Sequence, residues 1–339
     1  MPDVQEVFRM STQKVRQEPG AMERQLTRQR RAARNRKAGT FAVVGAIVAL
    51  AIVVISNVDR SEAPRVATNP PPITAQTGPY RLDVRTGEMS PLSENIAGGF
   101  SYPVSPDGTM FAYNPCCEPP VGVFVANIDG TAARQVTPDG VDAYGARWLP
   151  DGDALVFQGR NGSTEEIGNL FVVDVATGDT TRITDLDPTS SPSWFLAPEP
   201  SPDGQSVLFH LPRDSSLDPR WDLWSVPVEG GELTLVRRNA GSGVYAPDGN
   251  GEIAFLDAPQ DFSSPVLSLA AGPSDRPRVL ARGDAIQWPQ WSPDGTSVVY
   301  ADGTDIHIVD ISTGTSSVVA EGGRAEWFDD DTLVVSPAE

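Results

Sequence analysis

One short motif, Pro-Asp-Gly, recurs five times in this chain of 339 residues, at nearly regular spacing. The five prolines are 44, 52, 45 and 46 residues apart, and a short apolar run follows each motif. Proline presets the first turn dihedral, aspartate suits the next position and glycine accepts a positive φ, so each motif predicts a type I turn at a hairpin tip. The structural aspartates of these turns are Asp107, Asp151, Asp203, Asp248 and Asp294. A period near 45 residues, made of short strands and turns, indicates the blades of a β-propeller.

Each full period contains four candidate strands. One precedes the Pro-Asp-Gly motif, one follows it, and two more are separated by another turn that contains Gly or Asp. Two incomplete periods lie near the chain ends, because residues 324–336 repeat only the first two strands and residues 79–92 only the last two. Pairing these halves would complete a sixth blade and remove open sheet edges. We therefore predict an all-β fold, a six-bladed β-propeller of four-stranded blades, closed by its N- and C-terminal half-blades.

The repeats resemble those of TolB-type propellers, a WD40-like (PD40) class, in their SPDG motifs and the apolar runs SVLF and SVVY that follow. The resemblance extends over about residues 80–336. It implies an interaction, sensing or accessory module with varied ligands, because one fold supports many unrelated functions. A composition rich in Ala, Gly, Pro, Arg and Asp with few Lys is typical of a GC-rich bacterium, such as an actinobacterium.

A segment of twenty residues without charge, residues 39–58, precedes the repeats. As a helix it would span about 30 Å, the thickness of the bilayer hydrocarbon core. Residues 1–38 hold ten Lys and Arg against four Asp and Glu, whereas the rest of the chain holds sixteen against forty-one. The positive-inside rule then places the N-terminus in the cytoplasm and the propeller outside the cell membrane. A cleaved signal peptide is the alternative, but the basic tail and the apolar run both exceed its usual lengths.

The sequence thus predicts four parts, which are a basic cytoplasmic tail (1–38), one transmembrane helix (39–58), a Pro-rich stalk (59–79) and the propeller (80–339). The stalk should be extended and semi-rigid. The tail would bind anionic lipid headgroups or, alternatively, a cytoplasmic partner. The acidic excess of the larger part argues against nucleic-acid binding, which requires clustered Lys and Arg.

The chain offers few groups suited to catalysis. Its two histidines, His210 and His307, fall in different predicted blades, whereas acid–base chemistry needs partners within hydrogen-bond reach. The acidic run at residues 329–331 could ligate Ca²⁺, but its spacing does not match a calcium loop and turn formation explains it. We predict no catalytic residue, no cofactor and no metal site.

Two loop regions carry other candidate sites. The adjacent Cys116 and Cys117 would form a vicinal disulfide outside the cytoplasm, or else remain two free thiols. Trp194, Phe195 and Trp221 lie near the extra loop material of the longest repeat interval. They are candidate binding residues, with packing between blades as the alternative.

These features predict a membrane-anchored, extracytoplasmic and non-catalytic module that binds an envelope protein, a peptide or a glycan. The alternative is a transmembrane regulator, similar to an anti-sigma factor, that relays ligand binding to the basic tail. A propeller-based lyase or hydrolase would need a polar cluster at the mouth of the central channel, which sequence reasoning does not locate.

Overall fold

The computed structural model describes residues 78–93, 101–115, 122–160, 168–186, 196–213, 220–257, 264–272 and 274–336, and these form an all-β structure. The strands are, in chain order, β1 (Tyr80–Asp83), β2 (Met89–Pro91), β3 (Met110–Tyr113), β4 (Phe124–Asn127), β5 (Arg134–Gln135), β6 (Asp142–Trp148), β7 (Ala154–Arg160), β8 (Asn169–Asp174), β9 (Thr180–Arg182), β10 (Glu199–Pro200), β11 (Ser206–Pro212), β12 (Trp221–Pro227), β13 (Thr234–Arg238), β14 (Ala240–Tyr245), β15 (Ile253–Asp257), β16 (Val266–Ala270), β17 (Arg278–Arg282), β18 (Ile286–Trp291), β19 (Ser297–Asp302), β20 (Asp305–Asp310), β21 (Ser316–Glu321), β22 (Arg324–Trp327) and β23 (Thr332–Ser336). The second strand of each repeat is almost fully buried, as its run of apolar residues requires.

The strands form six sheets, which are the six predicted blades. Four blades consist of consecutive strands, in the orders β6-β7-β8-β9, β10-β11-β12-β13, β14-β15-β16-β17 and β18-β19-β20-β21. The first blade contains β3, β4 and β5, and its innermost segment joins by a single bridge between Val104 and Phe111. The predicted six-bladed fold is therefore confirmed, with the inner strand of the first blade reduced to this bridge.

The antiparallel order of each blade defines two faces of the ring. Successive connections along the chain alternate between these faces, because neighbouring strands run in opposite directions. The Pro-Asp-Gly turns, between the first and second strands, lie on one face, which we call the turn face. The links from the outer strand of one blade to the inner strand of the next lie on the opposite face, which we call the link face. Each inner strand therefore begins at the link face.

The sixth blade combines strands from the two ends of the described region. β1 pairs antiparallel with β23, so that Tyr80 lies opposite Val335 and Leu82 opposite Leu333, in the sheet order β2-β1-β23-β22. All four side chains are buried. The Tyr80 hydroxyl also donates a 2.9 Å hydrogen bond to the carbonyl oxygen of Glu321 in the fifth blade. The predicted closure by two half-blades is confirmed.

Three Pro-Asp-Gly turns begin with serine and share one hydrogen-bond pattern. In the turn at Asp294, the Ser292 hydroxyl donates to the carboxylate at 2.6 Å, and the Thr296 amide donates to it at 2.9 Å. The Ser297 amide in turn donates to the Ser292 hydroxyl oxygen at 2.9 Å, which ties the turn to β19. Burial acts to raise the pKa of Asp294, but the bonds from Ser292 and Thr296 outweigh it and lower that pKa. The corresponding aspartates of the other two turns are Asp107 and Asp203.

Residues 1–77 lie outside the described ranges. They include the predicted tail, the predicted transmembrane segment and nearly all of the predicted stalk. Within the described ranges, no helix is long and apolar enough to cross a membrane. The assignments of these N-terminal parts stay predictions.

The pairing of β1 with β23, which we call the closing seam, should contribute much of the stability of the ring. Leu333→Ala removes a fully buried side chain from the β1–β23 pair and should cost about 2–5 kcal/mol of unfolding free energy. Val318→Ala, on an outer strand where the side chain is exposed, is the control and should cost much less. Chemical denaturation followed by tryptophan fluorescence measures both. Equal losses for the two variants would contradict a closing role for the seam.

The aspartates of the Pro-Asp-Gly turns should differ in how much they contribute to the free energy of unfolding. Asp294→Ala removes a carboxylate that accepts from Ser292 and Thr296, whereas Asp248→Ala removes one whose bonds come from Asn250 alone. The Asp294 variant should therefore lose more stability at pH 7. Because the folded state lowers the pKa of Asp294, its contribution is present above the ordinary value of about 3.9 and is lost as the pH falls. Denaturation at pH 7 and pH 3 measures this, and a deficit that persists undiminished at pH 3 would contradict the charge-based explanation.

Candidate functional site at the channel mouth

A repeated backbone distortion shapes the beginning of the inner strands. Gly145, Ala197, Ser242 and Trp288 adopt φ angles between 38° and 62°, and each lies five residues before the proline of its Pro-Asp-Gly motif. In β6, β14 and β18 the pairing register shifts at this position, which marks a β-bulge. A bulge bends the strand and redirects the neighbouring side chains, so the same position is reshaped in blade after blade.

Two residues after the distorted position, the chain carries a charged or polar residue in several blades. By strand register, the equivalent residues are Arg147, Glu199, Gln290 and Glu326, from the second, third, fifth and sixth blades. Their side chains nevertheless meet, since Arg147 contacts both glutamates and the side chain of Gln290 is hydrogen-bonded to Glu199. Four separate blades therefore converge on one polar site at the centre of the ring.

Arg147 is the centre of this network. Its Nε donates to Glu199 Oε2 at 3.0 Å, and its Nη1 lies 3.3 Å from Glu326 Oε1. The same Nη1 donates to the Ala146 carbonyl at 3.1 Å and to Ser101 Oγ at 3.3 Å. Ser101 Oγ in turn donates to Glu326 Oε1 at 2.5 Å. One buried guanidinium thus joins the first, second, third and sixth blades.

Burial and charge pairing oppose each other at these groups. Burial acts to lower the pKa of Arg147, but the carboxylates of Glu326 and Glu199 outweigh it and raise that pKa. Arg147 therefore remains charged. Burial raises the pKa of Glu199 above its ordinary value, and the attraction of Arg147 offsets this only in part.

Arg324 adds a second cation on the link-face side of the network. Its Nε lies 3.1 Å from Glu326 Oε1, and its Cζ lies 4.7 Å from the centroid of the Trp288 ring, in a cation–π arrangement. With Arg147 and the two glutamates, it makes the cluster formally neutral. Trp288 has a φ of 55°, which a bulky side chain rarely adopts and which is typical of functional sites.

A small cavity lies among these groups. Its volume is about 20 Å³, and its lining includes Arg147, Glu199, Trp288, Gln290 and Arg324. Such a volume admits about one water molecule. Because charged and polar side chains of several blades meet beside this cavity, we take it as the candidate functional site.

Several residues predicted from the sequence lie outside the described ranges. They are Trp194, Phe195, Cys116 and Cys117. Their assignments as binding residues and as a vicinal disulfide stay predictions. Among the described residues, no group of three or more His, Cys, Asp or Glu is arranged to hold a metal ion.

Trp221 and the two histidines do lie in the described part of the chain. Trp221 is 5% exposed at the beginning of β12, and its ring centroid is 4.8 Å from that of His210. The Ser242 amide donates to His210 Nδ1 at 3.2 Å. His307 stacks on Tyr300 with their ring centroids 5.0 Å apart. The histidines therefore lie in the third and fifth blades, and the role of Trp221 in binding stays a prediction.

The sequence analysis did not identify the residues of the charged network as a candidate site. A signal for it nevertheless exists, because Arg147, Glu199 and Gln290 each lie three residues before the proline of a Pro-Asp-Gly motif. Equivalent positions of propeller blades meet at the ring axis, so polar residues that recur at one repeat position can form a single cluster. Glu326 is harder to find, since its blade has Asp-Asp-Asp in place of the motif.

Compared by sequence, the chain matches no family model and no curated protein. Solved structures do resemble it. TolB from Acinetobacter baumannii aligns with a TM-score of 0.58 at 16% identity, over 76% of this chain and 59% of that one. A protein assigned as TolB from Agrobacterium tumefaciens aligns with a TM-score of 0.60 at 16% identity, over 76% and 96%. An oligogalacturonate lyase in complex with manganese aligns with a TM-score of 0.50 at 18% identity, over 71% of each chain.

These similarities define the class of the fold, which is a six-bladed, TolB-like β-propeller. The chain spans less than two thirds of the length of the Acinetobacter protein. At such identities the likeness concerns the fold alone, and one fold serves proteins of different activities.

The network predicts a specific pattern of charge coupling. Arg147→Met leaves Glu199 and Glu326 near the axis with Arg324 as their remaining cation, and should cost about 3–5 kcal/mol. Adding Glu326→Gln restores a formally neutral cluster and should recover part of this loss. Arg282→Met, at an exposed residue of β17, is the control and should have little effect. Thermal unfolding measures all three, and a double variant no more stable than Arg147→Met would contradict the coupling.

Proposed function

We propose that this protein is a membrane-tethered binding module, non-catalytic, that presents its propeller outside the cytoplasmic membrane to an envelope protein or peptide. The main support is the state of the central channel. Arg147, Glu199, Glu326 and Arg324 pair with one another there, and the cavity beside them has a volume of about 20 Å³. A closed ring whose central charges pair with one another is a rigid platform, and its faces and channel mouth are available for recognition.

The sequence supports the tether and its orientation. Residues 39–58 are uncharged and long enough to span a bilayer, and the basic residues concentrate on their N-terminal side. In this proposal the basic tail lies at the inner surface of the membrane, where it binds anionic headgroups or a cytoplasmic partner. The Pro-rich stretch then spaces the propeller from the membrane.

The proposed partner class follows from fold likeness and charge. TolB proteins share the fold, which suggests binding to other proteins of the envelope. The acidic excess beyond residue 38, with sixteen basic residues against forty-one acidic ones, disfavours nucleic acid and favours neutral or basic partners.

Photo-cross-linking in intact cells tests the proposal. A photoreactive residue is placed in the full-length chain at Asp284, an exposed residue of a link on the link face, or at Thr313, an exposed residue on the turn face. We expect a discrete adduct from the Asp284 position and little from Thr313, since the inner strands that carry the channel groups begin at the link face. The adduct should be digested by an impermeant protease added outside spheroplasts.

Three outcomes would contradict the proposal. The first is no adduct from either face, and the second is an adduct protected from external protease. The third is turnover of oligogalacturonate by the purified protein with manganese, which would make the propeller catalytic like the lyase that shares its fold.

A further inference from the structure

Arg324 differs from the other charged residues of the channel in how its hydrogen-bond donors are used. Its side chain is 8% exposed, so it is almost fully withdrawn from solvent. Nε lies 3.1 Å from Glu326 Oε1 but outside hydrogen-bond geometry, and within the described ranges this nitrogen has no hydrogen-bond partner. Nε is a buried donor, and a buried donor that makes no hydrogen bond is costly.

The neighbouring side chains do not supply a hydrogen-bond acceptor for Arg324 Nε. Glu326 Oε1 already accepts from Ser101 and Arg147, and Glu199 accepts from Arg147 and Gln290. Below the guanidinium lies the face of Trp288, which contributes cation–π attraction and no lone pair. Arg324 also lines the cavity at the channel mouth.

We propose that the channel mouth binds the free C-terminal carboxylate of a polypeptide, with Arg324 as the anchoring residue. The inference rests on the proposed binding function and names its ligand. A carboxylate fits the fork of a guanidinium through two parallel hydrogen bonds, and Arg324 lines the cavity where such a group would bind. The strained backbone of Trp288 holds its ring under the guanidinium, so the cation is positioned before the ligand arrives.

Size and charge select a chain terminus among carboxylate ligands. A cavity of about 20 Å³ has no room for a sugar ring, so only a small group at the end of a ligand can contact Arg324 at the cavity opening. Beyond residue 38 the protein has forty-one acidic residues against sixteen basic ones, so it repels a polyuronate, which carries a charge on every ring. A peptide with basic residues and one terminal carboxylate is attracted by the acidic exterior and still offers the anion that Arg324 binds.

The test compares acid and amide forms of the same ligands. Full-length protein in detergent micelles is titrated with randomised, lysine-rich, N-acetylated hexapeptides that end in a free carboxylate or in a carboxamide, and binding is read by calorimetry. The carboxylate forms should bind at least about tenfold more tightly, since hydrogen bonds to a charged acceptor are stronger than those to a neutral amide. Arg324→Lys keeps the charge but loses the fork, and should remove most of this preference. Arg282→Met, at an exposed arginine of β17, is the matched control and should leave it unchanged.

Equal affinity for the acid and amide peptides would overturn the inference, as would the absence of peptide binding or tighter binding of trigalacturonate. If Arg324→Lys fails to fold, the comparison of acid and amide peptides on the natural protein still tests whether a terminal carboxylate is recognised. The two proposals can fail separately. A cross-linked envelope partner without amide sensitivity would leave the binding module standing and remove the carboxylate site.

Discussion

The pairing of β1 with β23 is the interaction on which the rest of the structure depends. It joins residues about 250 positions apart in the chain, so it must be formed by buried side chains that repay the entropy of closing so long a loop. Tyr80, Leu82, Leu333 and Val335 provide this burial. Once the seam is closed, every inner strand faces one axis, and a central channel exists that no single blade contains.

The channel shows how a repeated fold produces a site that is not repeated. The same distortion precedes the turn motif in four blades, but the side chains it presents differ, with arginine, glutamate, valine and glutamine in successive blades. Opposite charges from different blades therefore neutralise one another at the axis. Arg147 pairs with both glutamates, whereas Arg324 faces an aromatic ring and a cavity. Arg324 also pairs with Glu326, at 3.1 Å, so both arginines belong to one network but have different surroundings.

Local chemistry made much of the fold predictable. The Pro-Asp-Gly turns follow from residue preferences at adjacent positions, and the serine in three of them explains the bonds that hold Asp107, Asp203 and Asp294. The sixth blade was predictable because its halves each show a recognisable part of the strand pattern. The reduced inner strand of the first blade was not, since pairing beyond the Val104–Phe111 bridge depends on how that segment meets its neighbours.

By itself, the sequence determined the class of fold, the number of blades and the way the ring closes, because turn chemistry and strand periodicity are local properties repeated along the chain. Only the tertiary structure decided the candidate site. Arg147 and Glu326 are 179 residues apart, and their 3.3 Å contact arises from the closed ring and from bulges that redirect side chains towards its axis. Charges so distant in the chain become partners only when ring closure brings their blades to a common centre, and that is why sequence reasoning missed them.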